Sequence, residues 1–226
     1  MALFNSFTRL EEDGTILFFG MQDFTTDIIN SQRKLFRYEL IWEKEKGTQF
    51  FESENRPLPN HENILVFSLK YPQLYNPIKH EGKPYRKKKN TQKQGTNYQK
   101  DSQAQIITKN QGDRYPLSIL YFPRDKNQKD SFHPTQKPKE LMQFLIDSYS
   151  NKQDYIVDIC AGSFSTLMAC LMEERNSINS ELDKEIFALS SKRLQYFLIH
   201  KKDAFKKPRK MAKTQQHLDI FTHRST

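Results

Sequence analysis

Tyr155-Ile156-Val157-Asp158-Ile159-Cys160-Ala161-Gly162-Ser163-Phe164-Ser165-Thr166 is the stretch on which the fold turns. Tyr155 to Ile159 reads as a strand. Small residues follow, and Ser165 to Glu174 then carries a helical pattern. A small-residue turn between a strand and a helix lets a ligand approach the backbone and the helix N-terminus. Ser177 to Leu182 reads as the next strand, and Glu181 stands at its end, about 20 residues after the turn. In dinucleotide-type folds an acid at that place binds ribose hydroxyls. The same residues also suit an ordinary strand–helix turn with Glu181 merely exposed, because a single glycine is a weak signature.

Outward from this unit, strands and helices alternate. Lys184 to Leu198 is a helix. Pro138 to Ser150 is another, with Leu141, Leu145 and Tyr149 on one face. Just before it stands His133-Pro134-Thr135-Gln136-Lys137-Pro138. The prolines stiffen the backbone, and Thr135 is placed to cap the helix. His133 and Lys137 are exposed candidates for contact with a ligand or a phosphate; a plain proline-capped helix start reads equally from the same six residues. Towards the N-terminus, Met1 to Glu12 has helical spacing, Thr15 to Phe19 is a strand and Asp23 to Lys34 a helix. Leu35 to Trp42, Ile64 to Ser68 and Ser118 to Phe122 are strands. The expected fold class is α/β, with a mostly parallel sheet and helices on both faces.

The stretch from Tyr71 to Arg114 breaks the pattern. It is rich in Lys, Gln and Asn and has almost no apolar period, so it reads as a long loop. Charge is concentrated here. The chain of 226 residues carries a formal net charge of +9. Lys79 to Asp101 holds eight Lys/Arg against two acids, and Lys201 to Lys213 holds seven against one. These two segments at +6 each leave the body mildly acidic. Such segments suit phosphate backbones, where counterion release supplies affinity; solvated Lys-rich loop accounts for them as well. Cys160 and Cys170 are expected to be small buried apolar residues in a reducing compartment. There is no apolar run of the roughly 18 residues that cross a bilayer. The expected protein is cytoplasmic and soluble, with no membrane or metal partner.

His-Pro-Thr-Gln-Lys-Pro at 133–138, followed by a strand ending in Asp158-x-x-x-Gly162-Ser163-x-x-Thr166, resembles the S-adenosylmethionine-dependent DNA amino-methyltransferases that act on adenine N6 or cytosine N4. The likeness is to the group whose catalytic region precedes its cofactor region. It extends to Leu40-Ile41-Trp42-Glu43-Lys44, to Arg56 and His61 through Ser68, to Tyr115-Pro116 with Ser118-Ile119-Leu120, and to Glu181-Leu182-Asp183. The ordered series is far more specific than any one member.

The resemblance implies a Rossmann-like methyltransferase fold and a role for each matching residue. Asp158, Gly162 and Ser163 would line the cofactor turn, and Glu181 would bind the ribose of S-adenosylmethionine. His133, Pro134, Thr135, Gln136 and Lys137 would close over the methionine moiety. The stretch from Lys79 to Arg114 takes the place of the target-recognition segment. There Lys83, Arg86, Lys87, Lys88 and Lys89 would contact DNA, and Tyr85 and Tyr98 would stack on bases. The implied organisation is a remainder of the catalytic subdomain at 1–70, a basic insert at 71–114, a cofactor region at 115–200 and a basic tail at 201–226.

Three departures qualify this picture. The family's catalytic signature is Asp, Asn or Ser followed by Pro-Pro and an aromatic, and these 226 residues do not contain it. It stacks the flipped base and aligns its amine, so no catalytic residue is assigned and the chain alone is expected to be inactive. The family strand leading to that signature lies centrally, beside the one ending at Asp158. Relative to the family the chain reads as truncated at its N-terminus and short of a central strand. A second polypeptide could supply it, or the sheet could close up. Phe164 stands where the family typically has Gly, which permits φ > 0 and close approach of a ligand. Its side chain is expected either to intrude on the cofactor or to point into the core. Asn179 replaces a small Gly, a milder change. The competing readings are a non-catalytic DNA-binding remnant and a subunit of a split methyltransferase.

Overall fold

The computed structural model describes residues 12–90, 105–124 and 136–201. It divides into two compact units, Met1–Asn76 with Leu117–Thr226, and Pro77–Pro116. The expected helix at Met1 to Glu12, Tyr98 and the basic tail fall almost wholly outside the described residues.

In the larger unit, in chain order, β1 is Thr15–Gly20, α1 is Phe24–Ser31, β2 is Phe36–Glu43 and β3 is His61–Ser68. After the smaller unit come β8 at Ile119–Tyr121, α2 at Lys139–Tyr149, β9 at Tyr155–Asp158, α3 at Ser165–Met172, β10 at Asn176–Asn179 and α4 at Lys184–His200. One sheet has the order β1-β3-β2-β8. β3 runs antiparallel to both neighbours, and β2 is parallel to β8, so three of the four strands point the same way. β9 and β10 form a separate parallel pair. The α/β class matches the expectation; among the described residues of this unit the strand pairing is mixed, with β3 antiparallel to both neighbours and β2–β8 and β9–β10 parallel.

β3 shows why the larger sheet is sandwiched. Ile64, Leu65, Val66 and Phe67 have no exposed surface, which marks a strand covered on both faces. Successive side chains alternate between the faces. Ile64 and Val66 join Leu40, Trp42, Leu120 and the α2 residues Leu141, Leu145 and Tyr149. Leu65 and Phe67 join Ile28 of α1. α2 reaches this core because Leu141, Leu145 and Tyr149 recur every four residues. Its adjacent stripe, Met142 and Ile146, packs on Ala169 and Cys170 of α3.

That second cluster also receives Phe19 of β1 and Ile156 of β9. Both strands therefore lie over one helical layer. Yet β1 pairs only with β3, and β9 only with β10, among the described residues. Two strand edges over the same helices are not hydrogen-bonded to each other.

The smaller unit corrects the long-loop expectation. β4 (His80–Glu81) pairs with β7 (Asp113–Arg114), and β5 (Tyr85–Asn90) with β6 (Gln105–Asn110), both antiparallel. Gly112 at φ +119° makes the close approach to Gly82, whose carbonyl oxygen would lie 2.5 Å from any Cβ placed there. The strands went unseen because neither has an apolar alternation to read.

Candidate cofactor site

β9 ends at Asp158, and the chain turns through Ile159–Phe164 into α3. The Asp158 carboxylate holds the turn at both ends. It accepts the Cys160 N–H at 3.1 Å and the Thr166 hydroxyl at 2.5 Å. Gly162 has φ +49°, a left-handed conformation that glycine adopts at little cost. Its N–H donates to Glu181 Oε2 at 2.8 Å, and the other oxygen of Glu181 accepts the Asp183 N–H at 3.0 Å. Glu181 lies two residues beyond β10 rather than in a strand. A carboxylate accepts hydrogen bonds only, so it suits hydroxyl donors such as those of a ribose. Asp183 caps α4, accepting from Glu185 and Ile186 N–H at 2.8 and 3.0 Å.

Helix α4 grips the turn from behind. Ser190 Oγ donates to the Gly162 carbonyl at 2.6 Å, and Arg193 donates to the Ser163 carbonyl at 2.7 Å. Both residues are buried, as are Ser163 and Ser165. With two successive carbonyls held towards α4, the turn is fixed by backbone contacts. Sequence reasoning missed Ser190 and Arg193, because a serine and an arginine in a polar helix give no sign of being buried.

Phe164 takes the inward of its two expected placements. It is 4% exposed and meets Phe187 of α4 edge-to-face, ring centroids 5.6 Å apart. Its backbone is left-handed, at φ +60°. The side chain thus belongs to the packing between turn and α4. Asn179 Nδ2 donates to Ser177 Oγ at 2.6 Å. Cys160 corrects the expectation of burial: it is exposed, while Cys170 is buried. Desolvation and the carboxylates of Asp158 and Glu181 push the Cys160 thiol up from its ordinary range.

His133, Pro134 and Thr135 lie outside the described residues, and the N-cap position of α2 is Pro138. Gln136 is buried. Lys137, expected to be exposed, is instead mostly covered and bonds Glu62 Oε2 at 2.8 Å. The buried Lys44 bonds Glu62 Oε1 at 2.6 Å. The Lys137 ammonium also sits 5.2 Å from the Phe19 ring centre and 5.5 Å from that of Trp42. Burial alone would raise the Glu62 carboxyl, but Lys137 and Lys44 together outweigh it and hold it below its ordinary value. The segment before α2 is therefore anchored to the ends of β2 and β3 by one carboxylate shared between two lysines. Lys44 and Glu62 lie in stretches that carry the family resemblance, though nothing in the sequence alone assigned them this role.

A family model described as DNA methylase, of the N6/N4 type, matches residues 3–192. The chain belongs to this family. Among curated proteins it is similar to the DNA adenine methyltransferase YhdJ of Escherichia coli K12, at 34% identity over 83 residues, 36% of this chain and 28% of that one. The chain spans less than two thirds of the length of the first curated relatives it matches. Among solved structures it shares the fold of PvuII DNA methyltransferase, described as cytosine-N4-specific, with TM-score 0.56 and 18% identity over 84% of this chain and 68% of that one. It also shares that of the M1.HpyAVI–SAM complex, with TM-score 0.54 and 21% identity over 81% and 76%.

Among the described residues no group of three His, Cys, Asp or Glu could hold a metal, and no helix is long and apolar enough to cross a membrane. A cleft of about 670 Å³ lies in the smaller unit, lined by residues such as His80, Glu81 and Asn110 and by none of the turn residues.

Proposed function

We propose that this chain supplies the cofactor-binding part of a DNA amino-methyltransferase. The reaction is transfer of a methyl group from S-adenosylmethionine to the exocyclic amine of adenine or cytosine. The observation that carries the reading is the Asp158–Thr166 turn, with Glu181 bonded to the Gly162 N–H and α4 holding the carbonyls. S-adenosylmethionine supplies the methyl group on a sulfonium. Glu181 accepts from its ribose hydroxyls, and Asp158, Gly162 and Ser163 shape the turn against it. Gln136 and Lys137, with His133, Pro134 and Thr135, close the methionine side, and the Glu62 bridge holds Lys137 in place. The structural neighbour M1.HpyAVI, described as a SAM complex, supports the same reading. The residues for DNA contact are put forward from among the basic stretch Lys83, Arg86, Lys87, Lys88 and Lys89.

The base-holding tetrapeptide lies outside these 226 residues, and in this reading they do not methylate DNA by themselves. In support, β1 and β9 lie over the same helices without pairing to each other. Unpaired strand edges inside a sheet leave backbone groups in need of partners. The test mixes the purified chain with a polypeptide carrying a strand and the tetrapeptide, then measures methyl incorporation into DNA and binding of the cofactor. Methylation only in the mixture is expected. Absence of cofactor binding, alone and mixed, refutes the proposal. A second reading, a DNA-binding subunit without chemistry, is favoured by the basic β5–β6 ribbon. It expects DNA binding that survives Asp158→Ala and no methylation in any mixture.

A further inference from the structure

The two faces of the β5–β6 ribbon are not equivalent. Residues opposite each other in an antiparallel pair share a face, and neighbours along a strand alternate. The register pairs Tyr85 with Asn110, Arg86 with Lys109, Lys87 with Thr108 and Lys88 with Ile107. One face therefore carries Tyr85, Lys87, Thr108 and Asn110. The other carries Arg86, Lys88, Ile107 and Lys109.

The first face is engaged within its own unit. The Arg114 guanidinium lies 4.8 Å from the Tyr85 ring centre, and the Lys87 ammonium 5.3 Å from it. Arg114 also bonds Asn110 Oδ1 and the Lys83 carbonyl. The second face is exposed at all four residues; on the first, Tyr85, Lys87 and Thr108 are exposed too and Asn110 is half-buried, so the faces differ in the Arg114 contacts to Tyr85 and Asn110 rather than in burial. Neither strand contains an Asp or Glu. Arg86 and Lys109 are directly opposed, and like charges in that arrangement destabilise a strand pair. A two-stranded ribbon is marginal by itself, so this repulsion has no benefit for folding. It is relieved when a polyanion neutralises both cations.

We infer that the face bearing Arg86, Lys88 and Lys109 is the one that lies on duplex DNA, while Lys87 lies over Tyr85 on the opposite face. A two-stranded ribbon is of a size that the major groove of B-DNA admits. The inference rests on the proposed action on DNA, and it divides the basic residues of this segment into two groups by register. It also adds Lys109, which stands outside the basic run.

The test compares two variants of the full chain that each lose two positive charges at β5 positions of opposite register, Arg86→Ala/Lys88→Ala and Lys87→Ala/Lys89→Ala. Binding to a mixed-sequence DNA duplex is titrated over a range of salt, with circular dichroism to confirm folding. Each neutralised phosphate contributes about 0.9 to the slope of log affinity against log salt. The first variant is expected to lower that slope by about 2 and to bind several-fold more weakly at low salt. The second is expected to stay close to the wild type. Equal weakening by both variants overturns the face assignment but leaves DNA binding intact. Tighter binding to a single strand than to the duplex also overturns it. No binding of DNA by the wild-type chain removes the functional reading together with this inference.

Discussion

Phe164→Gly separates the two roles open to that residue. In the structure the ring is 4% exposed and packs edge-to-face on Phe187. Truncating a buried Phe costs about 3–5 kcal/mol, from lost transfer energy and the cavity left behind. The backbone at φ +60° works in the opposite direction. A non-glycine residue in the left-handed region carries about 1–2 kcal/mol of strain, which glycine relieves. Glycine's larger unfolded-state entropy takes back about 0.5–1 kcal/mol of that relief. The net expectation is destabilisation by about 2–4 kcal/mol. Urea unfolding measures it. Trp42, the single tryptophan, is buried in the same unit and reports the transition by fluorescence. The midpoint should fall with the slope unchanged. Cofactor affinity, measured by calorimetry under conditions where both proteins are folded, should not rise. A variant as stable as the wild type, or one that binds S-adenosylmethionine more than a few-fold tighter, would refute the inward placement.

The other expectations concern the contacts around the turn. Glu181→Ala removes a charged acceptor and should weaken cofactor binding by about 1.5–3 kcal/mol, roughly ten- to a hundredfold in Kd; an unchanged Kd would exclude Glu181 from the site. Arg193→Leu loses a buried charge-assisted bond to the Ser163 carbonyl. Thermal unfolding should show a loss of about 1.5–3 kcal/mol, and Arg193→Lys should restore part of any lost cofactor affinity. Glu62→Gln leaves Lys44 and Lys137 without their shared carboxylate, at a cost of about 1–3 kcal/mol near neutral pH. Because the folded Glu62 carboxyl is held below its ordinary 4.5, its contribution is complete above that value and disappears as pH falls through the lower folded value. Stability curves of wild type and Glu62→Gln should therefore converge in that acid window. A constant gap across it would assign the effect to packing.

Much of the larger unit was legible because its signals are local. β3 is a continuous apolar run since both its faces are covered, and α2 shows its buried stripe every fourth residue. The Asp158–Thr166 turn was equally readable: its strand, small residues and helix start are contiguous, so neighbouring residues set its geometry. The smaller unit was not legible in this way. β5 and β6 are mostly polar with no apolar alternation, Ile106 and Ile107 falling on opposite faces, and their register depends on backbone hydrogen bonds that leave no mark on hydropathy.

The residues that position the site were hidden for a related reason. Arg193, Ser190, Lys44 and Glu62 look like ordinary polar residues, and each becomes informative only through a partner far along the chain. Glu62 and Lys137 are 75 residues apart, and Arg193 meets Ser163 across 30. The direction of Phe164 shows the division most clearly. The amino-acid sequence determines that a large side chain stands where the turn passes into α3. Only the tertiary structure decides that it points at Phe187, because α4 packs behind the turn and offers the ring an apolar surface to bury against.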